Sequence, residues 1–285
     1  MILNMLNKNI FLRVISYLGK NIKSSSELMN NLVSSEISSK NSFEKHCRNS
    51  FRSKLTASQG YSFMNEHINF DFGRTNRTGI PEVIYAEGKE EPIVLKLLED
   101  FALNTEHPIM FTRLSPSVFR RLSPEFQSKY SFDALAKTAY SNQIPKKVNG
   151  RVAIVSAGTS DGFVTWEAKR TLDYLNVKSE VFEDCGVSGL WRLQEKLSQI
   201  NSFDIIITVA GMEAALVSVL AGLTSKPIIG VPTSIGYGVC KGGQTALNSM
   251  LACCAPGVAA VNIDNGFGAA CMAYKTLLSC KGSTK

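Results

Sequence analysis

The chain has 285 residues, with 31 Lys and Arg against 24 Asp and Glu and 44% hydrophobic content. That is enough apolar material for one large domain or two modest ones, which excludes disorder throughout. The formal charge of +7 is unevenly spread: residues 1–60 hold nine Lys/Arg and three Glu, and the rest of the chain carries 22 against 21. A nucleic-acid-binding body needs its cations gathered on one folded surface, so nucleic acid is not the expected partner.

Residues 1–60 read as a basic extension with 12 Ser and 8 Asn, whose first acid is Glu27. Ile10, Val14 and Leu18 step by four beside Lys8, Arg13, Lys20 and Lys23. A basic, acid-poor, amphipathic start of this kind has the pattern of a mitochondrial transit peptide. An extension without a fold, or an amphipathic helix lying on a membrane surface, are the other readings of it. The expected location is mitochondrial, with cytoplasmic as the alternative. No run of about 18 to 20 apolar residues occurs, so no membrane span is expected. The seven cysteines include no CxxC pair and do not resemble a secreted disulfide framework, which favours a reducing compartment. The only histidines are His46, His67 and His107, so nothing after residue 107 can use imidazole as acid, base or ligand. No HExxH, EF-hand or zinc spacing is present, and no structural metal is expected.

Residues 61–145 read as a small N-terminal α/β domain, followed near residues 144–150 by a polar linker punctuated by Pro145 and Gly150. Residues 150–280 hold most of the glycines. Apolar runs at 152–156, 180–183, 205–209, 228–231 and 258–263 predict five strands. Between them, Val164, Ala168, Leu172 and Leu175, then Leu190, Leu193, Leu197 and Ile200, recur at helical spacing. Strands apolar on both faces and joined by helices predict an α/β fold, a doubly wound parallel sheet covered on both sides. Ligands of such sheets lie outside the carboxyl ends of the strands.

The first strand runs into Thr159, Ser160 and Asp161, which could face an anion or serve as an ordinary helix N-cap. The third runs into Gly211, Met212 and Glu213, placing a carboxylate in the first turn of the next helix. There the macrodipole favours its ionised form, with either a catalytic or a helix-stabilising role. The fourth enters a loop with five glycines in 14 residues, including Ser234, Gly236 and Tyr237. Such a loop can bring main-chain donors close to a ligand or be a plain flexible turn. The fifth ends near Asn262, Asp264 and Asn265. Together these ends suggest a phosphate-bearing or nucleotide-like ligand, although GxGxxG is missing. Cys254 falls in phase with Leu247, Met250 and Leu251, as a buried core cysteine does. A nucleophilic role would need a cation from elsewhere, because a helix C-terminus disfavours thiolate.

SAGTSD (156–161), DCGVSGLWRL (184–193), VAGMEAALVSVLAGL (209–223), GVPTSIGYG (230–238), MLACCAPG (250–257) and VNIDNGFGAA (261–270) resemble the LarB family of nickel-pincer cofactor biosynthesis. FDFGRTNRTGIPEVIYAEGK (70–89) resembles the same family's D-x-x-R-x-x-R-x-G-x-P-E-V segment, and the likeness spans roughly residues 66–280 in order. The resemblance implies a PurE/flavodoxin-like C-terminal domain that carboxylates the pyridinium ring of nicotinic acid adenine dinucleotide, with carbon dioxide or bicarbonate as co-substrate, and hydrolyses the phosphoanhydride. It carries over Cys254 as the thiol that adds to the ring, with Cys253 preceding it where the family pattern has one cysteine. Glu213 becomes the base and Asp161 a third catalytic candidate. Thr159, Ser160, Gly211, Met212, Ser234, Gly236, Tyr237, Asn262, Asp264, Asn265, Arg74 and Arg77 become candidates for binding substrate. No covalently bound cofactor and no metal ligand are implied, although diphosphate cleavage is compatible with Mg2+. A homo-oligomer, an octamer by the resemblance, is expected. The same domain also resembles the purine-biosynthetic carboxylase acting on aminoimidazole ribonucleotide, and a nucleotide-binding protein without turnover is the non-enzymatic alternative.

Overall fold

A computed structural model describes residues 69–103, 107–145 and 148–280. The amphipathic pattern and targeting reading of residues 1–60, together with Cys47, His46 and His67, lie outside them. The chain builds α1 (Arg74–Thr78), β1 (Ile84–Tyr85), α2 (Glu91–Leu103), β2 (Met110–Thr112), α3 (Pro116–Phe119), α4 (Pro124–Gln127), β3 (Ser131–Asp133) and β4 (Thr138–Tyr140). The single-turn helices α3 and α4 start where a serine meets a proline. Ser115 and Ser123 accept a backbone N–H from within the turn, and Pro116 and Pro124 sit at the helix start, where a missing N–H costs nothing. β1 pairs parallel to β2, whereas β2, β4 and β3 run antiparallel, giving the order β1-β2-β4-β3. Phe101, Phe111, Tyr130 and Phe119 meet edge to face with ring centroids 6.0 to 6.4 Å apart. The Tyr130 hydroxyl donates to the Leu98 carbonyl at 2.6 Å, so the buried ring leaves no polar atom unpaired.

The second sheet follows as β5 (Arg151–Ser156), α5 (Gly162–Tyr174), β6 (Lys178–Phe182), α6 (Leu190–Ile200), β7 (Ile205–Ala210), α7 (Ala215–Ala221), β8 (Ile228–Pro232), α8 (Gln244–Leu251), β9 (Val258–Ala260) and α9 (Gly266–Ser279). All its pairings are parallel, in the order β6-β5-β7-β8-β9, as the alternation of apolar runs and helices predicts. Every residue of β7 and β8 is buried, because the pleat sends alternate side chains into two separate cores. Ile154, Ile207 and Val209 pack against α5 and α9. Val155, Ile206 and Ile228 pack against α6, α7 and α8. Each fully buried aliphatic side chain contributes about 1.5 to 3 kcal/mol, which is why these runs dominate the sequence signal.

The edges depart from expectation. β6 begins at Lys178 and alternates in exposure, as an edge strand can. β9 ends at Ala260, and only single bonds continue the ladder, from Val261 N–H to Gly230 O at 3.0 Å and from Asp264 N–H to Pro232 O at 2.8 Å. The two sheets share a core: Ile80, Met110, Ile144 and Val148 belong to the cluster that covers α5 and α9, and residues from Phe70 onward form one compact unit. α9 approaches α5 so closely that a Cβ on Gly266 would stand 2.4 Å from the Val164 carbonyl oxygen, a separation open only to glycine.

Candidate active site

The carboxyl ends of β5, β7 and β8 converge on Asp161, which is 4% exposed. Its side chain does not cap α5, contrary to the N-cap reading. It turns back to accept from Gly158 N–H at 2.9 Å and from the Thr233 hydroxyl at 2.7 Å. Burial pushes the carboxyl above the ordinary carboxylate range, while the Thr233 hydroxyl and the Gly158 and Gly211 amides favour ionisation. The loop after β8 is fixed from both sides. Asp264 Oδ1 accepts Ser234 N–H at 2.8 Å, and Thr233 N–H reaches the Ala210 carbonyl at 3.0 Å. Gly211 is forced by this closeness, since a Cβ there would lie 2.2 Å from Ile235 O and 2.6 Å from Thr233 Oγ1.

Around this buried group lie the other strand-end candidates. Thr159, Ser160, Ser234 and Tyr237 are exposed on the rim, with Gly236 half-buried beside them. Asn265 caps α9 by accepting Gly268 N–H at 2.7 Å, and Asn262 accepts the next residue's N–H at 2.9 Å. Met212 N–H donates to Ile235 O at 2.9 Å. Met212 (φ 50°) and Ala214 (φ 55°) are both left-handed, a conformation costing on the order of 1 to 3 kcal/mol each outside glycine. They turn the chain so that α7 begins only at Ala215. Glu213 is therefore an exposed turn residue just ahead of the N-cap Ala214, not a first-turn residue.

Cys254 is also corrected. α8 ends at Leu251, so helical phase does not extend to Cys254, which is exposed. The half-buried neighbour is Cys253, whose Sγ accepts the Ser218 hydroxyl at 3.3 Å. Cys254 sits on the return from α8 to the amino end of β9, just before Gly257, whose carbonyl accepts Ile228 N–H at 3.0 Å. Glu213 and Asp161, by contrast, stand at the carboxyl ends of the strands. No hydrogen bond or ion pair joins Cys254, Glu213 and Asp161 among the described residues. Arg74 and Arg77 lie on α1, both exposed, and make no bond to the strand-end group. Arg77 pairs with Asp71, whose carboxyl is held low first by that hydrogen bond, and Asp71 N–H donates to the Glu82 carboxylate. The D-x-x-R-x-x-R-x-G-x-P-E-V segment thus ties itself together.

One cluster escapes the sequence reading. Glu167, its side chain 1% exposed, accepts from the Thr112 hydroxyl, from Arg113 Nε at 3.0 Å and Nη2 at 3.4 Å, and from Phe267 N–H at 3.2 Å. Arg113 Nη2 also donates to the Asp264 carbonyl, so the N-terminal sheet braces the loop that holds Ser234. The available signal was an acid in phase with Val164, Ala168 and Thr171 on the buried face of α5. Among the described residues no group of three or more His, Cys, Asp or Glu could hold a metal ion, and no helix is long and apolar enough to cross a membrane.

Residues 151–283 match the family model for AIR carboxylase, and residues 64–143 match that for the LarB/PurE-like N-terminal domain. An uncharacterised protein of Methanocaldococcus jannaschii is 39% identical over 216 residues, covering 73% of this chain and 83% of its own. The N5-carboxyaminoimidazole ribonucleotide mutase of the same organism is 31% identical over 129 residues, covering 44% and 78%. Crystal structures of Treponema denticola PurE and of PurE2-S38D align with TM-scores of 0.35 and 0.33 at 15% and 16% identity, each covering 46% of this chain and 92% of its own. With a LarB/PurE-like domain running into an AIR-carboxylase domain, and a relative matched over most of its length, the chain belongs to the LarB family.

Proposed function

We propose that this chain carboxylates the pyridinium ring of nicotinic acid adenine dinucleotide and hydrolyses its phosphoanhydride, giving pyridinium-3,5-biscarboxylic acid mononucleotide and AMP. The observation that carries this reading is a LarB-type N-terminal domain joined to a carboxylase domain, with Cys254 exposed rather than sequestered in the core. Cys254 Sγ bonds to the ring carbon para to nitrogen, and a ring π pair moves onto the nitrogen. The resulting enamine uses its neighbouring carbon to form a bond to carbon dioxide. Glu213 removes the proton from that carbon, and the C–S pair leaves as thiolate, restoring the aromatic ring. The cationic ring supplies what the local backbone does not, favouring thiolate and accepting its electrons. Water cleaves the diphosphate with AMP leaving; a magnesium ion at this step would be carried by the diphosphate oxygens, because among the described residues no group of three or more His, Cys, Asp or Glu could hold one. Asp161, by accepting from Gly158 N–H and the Thr233 hydroxyl, ties together the two loops whose exposed Ser160 and Ser234 face phosphate and ribose in this reading.

The ring must meet Cys254 and Glu213 together, yet one chain carries them toward different ends of the sheet. The working unit is therefore a homo-oligomer in which one copy supplies Cys254 to the strand-end site of another. Ile235, Tyr237, Val239 and Leu251 are large exposed apolar side chains, surface suited to such an interface. Residues 1–60 serve as a mitochondrial leader in this reading, and a diffuse cytosolic reporter fusion would remove that assignment.

The deciding experiment incubates the protein with the dinucleotide and bicarbonate, following AMP by chromatography and the doubly carboxylated mononucleotide by mass spectrometry. Cys254→Ser abolishes turnover and Cys253→Ser keeps most of it; the reverse would reassign the nucleophile. Co-expressed Cys254→Ser and Glu213→Gln chains recover activity if the site is shared between copies, and stay inactive if it is not. The second reading, carboxylation of an aminoimidazole ribonucleotide, draws on the mutase relative. That substrate is already an electron-rich enamine, so turnover independent of Cys254 would favour it. Binding of the dinucleotide without AMP release would leave a nucleotide-binding protein.

A further inference from the structure

Two cysteines stand side by side at 253 and 254, and only Cys254 has a part in the proposed reaction. α8 ends at Leu251 with Ala252 as its C-cap, and neither cysteine belongs to a helix or a strand. The Cys253 amide reaches Met250 O only at 3.4 Å, and among the described residues the Cys254 amide makes no backbone hydrogen bond. The main chain can therefore turn at this pair without breaking a ladder. Cys253 is half-buried and Cys254 exposed. The Ser218 hydroxyl on α7 donates to Cys253 Sγ at 3.3 Å, which holds that sulfur in place. The same sulfur lies 3.9 Å from the Ala255 carbonyl, so it leans along the stretch of chain that carries Cys254. The other described thiols are placed differently. Cys185 and Cys240 are buried, burial pushes the Cys271 thiol up to about 12, and Cys280 is the C-cap of α9.

We propose that Cys253 and Cys254 are a covalent modification site, a dithiol that a hydroperoxide converts reversibly into a disulfide, switching off the thiol at 254. The effect on turnover rests on the functional reading above; the bond itself does not. A position open to a dinucleotide is open to a peroxide. Cys254 Sγ, as thiolate, takes the terminal peroxide oxygen: an S–O bond forms, the O–O bond breaks, and the alkoxide leaves to become an alcohol, or water where the oxidant is hydrogen peroxide. Cys253 Sγ then attacks the sulfenic sulfur, forming the S–S bond and expelling hydroxide, which leaves as water. The two thiols together lose two electrons and two protons, and the peroxide is reduced. Neighbouring Cα atoms stand about 3.8 Å apart across a trans peptide, below the usual disulfide range of about 4.4 to 6.8 Å. The closed ring is strained, and strained or exposed disulfides are the readily reduced ones, which suits a switch and not a staple. Without Cys253 the sulfenic acid at 254 has no adjacent thiol to resolve it and is oxidised further to sulfinic acid, which a thiol does not reduce.

The test treats the full chain with hydrogen peroxide and then with dithiothreitol, reading peptide masses and AMP release at each stage. The parent peptide holding both cysteines should lose two hydrogen atoms and regain them with dithiothreitol, and turnover should stop and return with it. Cys253→Ser should turn over like the parent before treatment, lose activity to peroxide, and stay inactive after dithiothreitol with two oxygens added at Cys254. If Cys253→Ser folds poorly, Cys253→Ala gives the same readout. Sulfinic acid at Cys254 of the parent with no intervening disulfide overturns the switch, as does a Cys253→Ser chain that recovers as the parent does. A disulfide joining two copies through Cys254, seen as a dimer on a non-reducing gel, overturns it too. A parent chain that forms the 253–254 disulfide but releases no AMP before treatment supports the modification and refutes the carboxylase reading. Turnover that survives peroxide with both thiols still reduced overturns the modification and leaves the activity standing.

Discussion

Replacing Arg113 with methionine keeps most of the aliphatic stem and removes both charged donors to Glu167. The carboxylate would retain only the Thr112 hydroxyl and the Phe267 amide. Breaking a buried ion pair from one side costs roughly 3 to 5 kcal/mol. The surviving donors, and the 17% exposure of the Arg113 side chain, place this case near the lower bound, about 3 kcal/mol. Loss of the bond from Arg113 to the Asp264 carbonyl adds about 1 kcal/mol. At about 2 to 4 °C per kcal/mol for a folded unit of this size, the melting temperature should fall by about 8 to 16 °C. Thermal and urea unfolding of Arg113→Met, Glu167→Gln and the double variant, followed by circular dichroism, measure it. The double variant should be more stable than the sum of the single losses by at least about 1 kcal/mol. An Arg113→Met chain within about 0.5 kcal/mol of the parent, or strictly additive losses, would refute the brace.

Asp161 makes a pH prediction with a definite sign. Its folded-state carboxyl is raised by burial, so its contribution is fully present below the ordinary carboxylate value and is lost as pH rises through the folded one. Melting curves of the parent chain and Asp161→Asn should therefore shift in the parent's favour as pH is lowered from neutrality, and the opposite trend would contradict the burial. Gly211→Ala forces Ile235 or Thr233 to move and should cost about 1 to 3 kcal/mol together with most AMP release, measured by unfolding and by chromatography. On the native chain iodoacetamide should label the exposed Cys254 and Cys280 ahead of Cys185, Cys240 and Cys271. The Cys271 thiol is pushed up to about 12 by burial, and peptide mapping reads the order.

The parallel sheet was legible because β5, β7 and β8 are short apolar runs buried on both faces, and their carboxyl ends could be read from chain direction alone. Asp161 and the glycine loop were legible for the same reason. Their bonding was not, because Thr233 reaches Asp161 across 72 residues. Glu213 was misplaced by the two left-handed residues around it, a backbone choice that neither methionine nor alanine announces. Cys254 was drawn into helical phase by Leu247, Met250 and Leu251, although α8 stops at Leu251 and leaves the thiol outside. The Glu167 cluster pairs groups separated by 54, 55 and 100 residues, so only the oddity of an acid on an apolar helix face pointed toward it.

The core shared by the two sheets bears on whether either half can live apart. A chain cut to begin at residue 150 would uncover the flank of α5 and α9 that Ile80, Met110, Ile144 and Val148 now shelter. It would also strand Glu167 with a single remaining donor, the Phe267 amide. The carboxylase half, cut out in this way, should therefore melt well below the whole chain, because the N-terminal sheet covers part of its core and supplies most of the donors to its buried Glu167.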